Sequence, residues 1–319
     1  MHKRLQSELL ALAALIVALD VAWLWLGHFN IDAAPYSVLL LAVPPLAGAS
    51  LYYGNVRREE AISVMFSGAA FLSVFSAACN LLSYLALTVA GPRIDMQLAA
   101  IDHALGFDWP ALMMFASEHG LLTKMLLGIY QSVMPQTVLL LLLLGWKKQS
   151  SEIYGFCLAI AFGAAITVGF WTMFPSFGAF SVFNLPPQVA ARLGLALSGD
   201  YGHALVEMLK NGPGIISPAD MRGIVGFPSY HTVQAIALTW YARKLRYVGV
   251  AAFALNGLVL FAALIHGGHH LVDIAGGAAV AAVAIICADR RVLAASRSNG
   301  FSKVGYAATA SQDRPAPAG

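Results

Sequence analysis

"LVLFAALIHGGHHLVDIAGGAAVAAVAII", Leu258 to Ile286, consists of two apolar runs joined at a knot of histidines, glycines and one aspartate. The flanks "LVLFAALI" and "AAVAAVAII" read as parts of two helices that pass through hydrocarbon, and the polar knot marks the level at which the chain turns back. The reading rests on the rest of the chain repeating this pattern, and it does. Of 319 residues, 59% are hydrophobic and only 11% are charged, against about a quarter charged in soluble domains; the mean hydropathy is +0.72. Inside a bilayer no water can pair with the backbone, so a spanning segment must satisfy its own N–H and C=O groups, which a helix does alone. The composition therefore predicts an all-α, polytopic integral membrane bundle.

A bilayer core takes roughly 20 apolar residues per helix. On that measure the chain offers about eight transmembrane segments: 8–27, 36–54, 61–90, 121–146, 153–174, 229–245, 247–266 and 270–289. Lys and Arg collect in short cytoplasmic loops, and here they cluster at Lys3 and Arg4, Arg57 and Arg58, Lys147 and Lys148, Arg243 to Arg246, and Arg290 and Arg291. Every second connection is basic. Both termini are thus expected in the cytoplasm, with the other connections facing outward across a cell (inner) membrane. The net charge of +3 lies in these clusters rather than along one soluble face, so nucleic acid is not expected as a partner. Cys79, Cys157 and Cys287 fall in apolar runs without disulfide or zinc spacing.

The expected organisation is an N-terminal pair of helices over 1–60, a catalytic membrane domain over 61–291, and a disordered cytoplasmic tail over 292–319, which is rich in small and polar residues. Within the membrane domain, 93–119 sets Ile94, Leu98, Ile101 and Leu105 against Asp95, Gln97, Asp102 and His103, the pattern of one helix lying in the interface. Residues 175–225, with several prolines and glycines, are expected to cap the outer surface as loop and short helix. Trp109, Trp171 and Trp240 are expected to anchor the interface.

Two polar clusters begin apolar segments at the same outer level: "GFPSYHT" at Gly226–Thr232 and "HGGHHLVD" at His266–Asp273. Ionisable residues at membrane depth are costly and by default mark function. On a helix His269 and Asp273, at i and i+4, share a face. The carboxylate then fixes one imidazole nitrogen and leaves the other free as a base or nucleophile. His231 supplies a second proton carrier. Ser229 can cap the helix that follows it, whose free N–H groups and positive dipole end favour an anion. An anion between two histidines at a membrane surface points to the phosphate of a lipid, with no cofactor and no metal called for.

These residues resemble the signature motifs of the type 2 phosphatidic acid phosphatase superfamily. Pro228, Ser229, Tyr230 and His231 match its Pro-Ser-x-His motif, while His269 and Asp273 match the nucleophile and carboxylate of its third motif. Ala262 and Ala263 stand where that motif has Ser-Arg, and Lys124 is followed at the arginine position of the first motif by Gln131. The looser pattern is similar to the inositol phosphorylceramide synthase-like branch, as is "AAIDHALGFDWP". The resemblance implies a six-helix catalytic core and phosphoryl transfer through a phosphohistidine on His269, with Asp273 and His231 catalytic. It implies a lipid phosphate or phospholipid substrate held by Ser229 and Tyr230, and water or an alcohol as acceptor. Arg222, Lys124 and His270 are the candidate phosphate-binding cations, with His266 a further one. Two other classes remain open: a metal-dependent membrane hydrolase using His266, His269, His270 and Asp273, and a non-enzymatic lipid transporter.

Overall fold

The computed structural model describes residues 2–195, 201–217 and 223–312. The chain begins with α1 (His2–Gly27), followed by β1 (Asn30–Ile31) and a segment broken into α2 (Ala33–Leu40) and α3 (Val43–Asn55). Prolines in the first turn of α3 set the break, since a proline has no N–H for the preceding turn. Then come α4 (Glu60–Ala86), two short helices α5 (Asp95–Ala104) and α6 (Trp109–Glu118), and the pair α7 (Gly120–Gln131) and α8 (Val133–Trp146). The pair is bent by 45°; Pro135, just inside α8, removes the bond that would have carried α7 straight on. The remainder is α9 (Ser150–Met173), α10 (Pro187–Leu193), α11 (Tyr201–Asn211), β2 (Ile215–Ile216), α12 (Tyr230–Ala242), α13 (Arg246–His266) and α14 (Leu271–Gln312). The protein is an all-α polytopic bundle.

α9 is the central post. It is largely apolar, its residues from Ile153 to Ala161 are buried without interruption, and it packs against α14, α4 and α12; further along, Ala165, Ile166 and Gly169 are exposed. Gly155 lies against the ring of Tyr241, and Gly163 against Val233, so α12 approaches α9 closely. α1 and α4 pack together on one flank of the post and α13 covers the outer face of α12.

Six helices among the described residues are long and apolar enough to cross a membrane, or seven with the bent α7–α8 pair. The difference from eight lies at 229–245, where α12 is only 13 residues long, about 20 Å against a hydrocarbon core of about 30 Å. Because α9, α13, α14 and α8 surround it, α12 is solvated by protein rather than lipid and need not be full length. The segment from 292, expected as a disordered tail, continues α14 as far as Gln312. It holds no proline before Pro315 and is rich in alanine, which favours helix. Residues 313–319 lie outside the described residues.

The stretch 93–119 is two helices, not one, and its polarity is inverted. Asp95, Leu98 and Asp102 form the buried face of α5, while Met96, Ile101 and Leu105 are exposed. The acids turn inward because they have backbone N–H groups to accept there, and the apolar side chains turn toward the surroundings of the bundle. The segment 175–225 is mixed, as its composition suggests, and β2 within it pairs in parallel with β1, Asn30 opposite Ile215 and Ile31 opposite Ile216. That two-residue ladder ties the cap to the connection between α1 and α2. Trp109 and Trp171 are not surface anchors: they are 2% and 0% exposed, and their indole N–H groups donate to the carbonyls of Leu264 and Ser176, both at 2.9 Å. Trp240 is 40% exposed.

Candidate active site

The site forms where the chain ends α13 and starts α14. Gly268 turns it with φ +60°, a left-handed conformation that a residue with a Cβ avoids, and any Cβ there would also collide with the Phe180 ring. The turn presents His269. In the first turn of α14 Asp273 is fully buried, and its Oδ2 accepts from His269 Nδ1 at 3.1 Å and from the His270 N–H at 2.8 Å. A buried carboxylate is tolerated only with such donors.

α12 begins against the same spot. The Ser229 N–H donates to the Asp273 carbonyl at 3.0 Å. Ser229 Oγ lies 3.2 Å from His269 Nε2 and accepts from the Thr232 N–H at 3.3 Å, making it the N-cap of α12. Gly277 allows this contact, because a Cβ on it would clash with the Ser229 carbonyl and lie 2.7 Å from Thr232 Cβ. The tautomer that satisfies every contact has the proton of His269 on Nδ1, toward Asp273, and a lone pair on Nε2 that accepts from the Ser229 hydroxyl. Such a ring is fixed in direction and tautomer by its own hydrogen bonds.

His231, in the first turn of α12, places its ring 6.5 Å from that of His269, inclined at 61°. It lies flat on Tyr130 of α7, ring to ring at 4.4 Å and 18°, with the Tyr130 hydroxyl 3.5 Å from Nδ1. His269, His231 and the start of α12, a helix end that favours anions, thus lie together at one end of the bundle.

The other sequence candidates fall in different places. The Tyr230 hydroxyl donates to the Ile160 carbonyl at 3.4 Å and its ring packs into the core beside α9, so it turns away from the histidines because the next residue on a helix points elsewhere. Lys124 is exposed on α7. His270 is fully buried with its Nδ1 3.4 Å from Asp102 Oδ2, close enough for an ion pair but outside hydrogen-bond geometry. His266 Nε2 meets the Thr123 carbonyl at 2.9 Å. Arg222 lies outside the described residues. Among the described residues no group of three or more His, Cys, Asp or Glu side chains is arranged to hold a metal ion.

Sequence reasoning missed three residues here. Asp102 accepts the N–H groups of Leu271 and Val272 at 2.8 and 3.0 Å. Asp95 accepts from Ser176 and from the backbone of Phe177 and Gly178. The signal for both was their spacing with Leu98 along one helix face, read as facing outward rather than inward. Tyr130 had no signal, since only the bend after α7 brings it to His231.

The fold is an all-helical membrane bundle whose polar end carries a buried His–Asp pair, a capping serine and a second histidine. A sequence model of the PAP2 superfamily matches residues 96–287, more than half of the chain, and the protein belongs to that superfamily. The match runs from α5 into α14 and leaves α1 to α4 outside it. Comparison with curated proteins and with solved structures returned no match. Membership supports a phosphatase-type lipid phosphate hydrolase or phosphotransferase.

Proposed function

We propose that the protein cleaves a lipid phosphate or phosphodiester in two steps through a phosphohistidine on His269. His269 Nε2 attacks phosphorus; the N–P bond forms as the bond from phosphorus to the leaving oxygen breaks, and His231 gives that oxygen its proton. Water or an alcohol then attacks, His231 takes the incoming proton, an O–P bond forms and the N–P bond breaks. Asp273 stabilises the charge that His269 acquires. Ser229 exchanges its hydrogen bond from Nε2 to a phosphate oxygen, beside the start of α12, where the helix dipole favours the anion. The observation that carries the reading is the engagement of His269 at both nitrogens, by Asp273 and Ser229, with His231 across from it. Such transfers depend mainly on positioning and charge compensation.

The lipid character of the substrate is supported by a cavity of about 770 Å³ bounded by α2, α3, α4, α8, α9 and α12, within the range of about 300–1,000 Å³ that small ligands occupy. Its lining is largely apolar, with Leu46, Leu72 and Leu141 among the walls, and it reaches Gln234, one helical turn from His231. The substitution of alanines at 262 and 263 for the family's Ser-Arg pair supports the inositol phosphorylceramide synthase-like branch, in which an alcohol takes the phosphoryl group. The charge pattern of the connections supports a site on the outer, periplasmic side with both termini cytoplasmic.

The test is to incubate purified protein with a panel of lipid phosphates and phosphodiesters, with and without polyol acceptors, following free phosphate and new lipid headgroups. An acid-labile phosphoenzyme that disappears in His269→Ala, and turnover unaffected by chelator, are the expected results. Undiminished product from His269→Ala, or loss of activity with EDTA, would refute the scheme.

A further inference from the structure

α5 contributes no atom to the proposed chemistry, yet its two buried acids reach both arms of the site. Asp95 and Asp102 are 2% and 3% exposed and lie two turns apart on one face. Asp95 Oδ1 accepts from Ser176 Oγ at 2.9 Å and from the Phe177 and Gly178 N–H groups at 2.7 and 3.0 Å. Ser176 in turn accepts the Gly226 N–H on its carbonyl at 2.7 Å, so the loop held by Asp95 sets the segment that leads into Ser229. Arg93 pairs with Asp95 at 2.7 Å.

Asp102 holds the other arm. Its two oxygens accept the N–H groups of Leu271 and Val272, the first residues of α14, and the His270 ring faces it with Nδ1 3.4 Å from Oδ2. Asp273 grips the same short segment from its own side, through His269 Nδ1 and the His270 N–H. Four successive residues, His269 to Val272, are therefore fixed by two carboxylates acting on different groups. Capping alone does not need a buried charge, because a neutral serine or asparagine caps a helix about as well. Burying a full carboxylate is costly and is offset here by two N–H donors and the helix dipole.

We propose that Asp102 is a positioning residue of the catalytic centre: by clamping the first turn of α14 and facing the His270 ring, it fixes the direction in which His269 points Nε2 toward Ser229 and His231. The proposal rests on the reading of His269 as nucleophile.

Its test uses the full chain in Asp102→Ala and Asp102→Asn forms, with phosphoenzyme formation followed by rapid quench. A misplacement near 1 Å costs about 10²-fold in rate, so Asp102→Ala is expected to lose about that factor in kcat and in the rate of phosphorylation. KM should change by less than about threefold, the signature of an interaction that matters beyond the ground state. Asp102→Asn keeps one acceptor oxygen and should recover part of the loss. Should the alanine form not fold, the asparagine form alone carries the test, expected between wild type and a 10²-fold loss, again with KM little changed. The proposal is overturned if kcat stays at the wild-type value in a folded variant, or if KM rises while kcat is untouched. Activity that falls only in proportion to folded protein, with no relief by asparagine, overturns it too. His269→Ala run alongside separates the two levels: if that variant is dead while the Asp102 variants are normal, only the positioning role falls; if it is active, the reading of the site falls and this one with it.

Discussion

The two histidines facing each other across the site are held in opposite ways. His269 is 4% exposed, with a carboxylate on one nitrogen and a serine hydroxyl on the other. His231 is half-buried and lies on the face of Tyr130, whose hydroxyl is a long 3.5 Å from it. Hydrogen bonds at both ends of a ring fix its rotation and its tautomer; stacking fixes only its plane. A nucleophile needs the first kind of restraint, because attack has one direction. A proton carrier that serves a leaving oxygen and then an incoming one benefits from the second, since it must reach two positions in turn.

The sharpest way to break this contrast is to delete each ring. His269→Ala is expected to lower turnover on the order of 10⁴-fold or more with no phosphoenzyme on any substrate. His231→Ala should cost about 10²–10⁴-fold with an alkyl leaving group. With an activated aryl phosphate, whose leaving group needs no proton, the His231 variant should phosphorylate at a near-normal rate and then accumulate phosphoenzyme, because the second step still lacks its base. Equal behaviour of both variants toward the aryl substrate would show that the rings do not divide the work in this way.

Much of this arrangement was legible in the amino-acid sequence, for physical reasons that also explain what was not. Apolar length announces a membrane helix, so α1, α4, α9, α13 and α14 were visible; α12 looked like a sixth full segment because composition cannot tell protein from lipid as the apolar solvent. The contact between His269 and Asp273 depends on spacing within one turn, which sequence carries. Tyr130 reaches His231 through the 45° bend between α7 and α8, and nothing local encodes which ring will lie there. The acids of α5 failed in a more instructive way: amphipathic patterns assign polar residues to water, whereas Asp95 and Asp102 have their donors inside. In a membrane protein the polar face of a short helix can be the buried one.

A smaller change tests the geometry instead of the chemistry. Gly277 lets α14 lie against the Ser229 carbonyl and Thr232. Gly277→Ala must push α12 away from α14, at an overpacking cost of about 1–3 kcal/mol, read as a lower Tm in detergent. The Ser229 to His269 contact opens with it, so kcat should fall within about the 10²-fold that a misplacement near 1 Å produces. A parallel Gly169→Ala change, where a Cβ meets nothing, should leave both quantities near wild type.

The smallest effect is expected at Tyr130, and it probes the looser of the two histidines directly. Tyr130→Phe keeps the stacked face and removes only the hydroxyl at 3.5 Å; at that length the contact is weak, and the loss in kcat should stay below about threefold. Tyr130→Ala removes the face, worth about 0.5–1.5 kcal/mol, and should cost roughly two- to tenfold in kcat while leaving phosphoenzyme formation from an aryl phosphate unchanged, because His269 does not rest on that ring. If the phenylalanine variant were instead as damaged as the alanine one, the hydroxyl and not the face would be what holds His231. Both histidines would then be fixed by hydrogen bonds, and the division between an aimed nucleophile and a mobile proton carrier would fail at its weaker half.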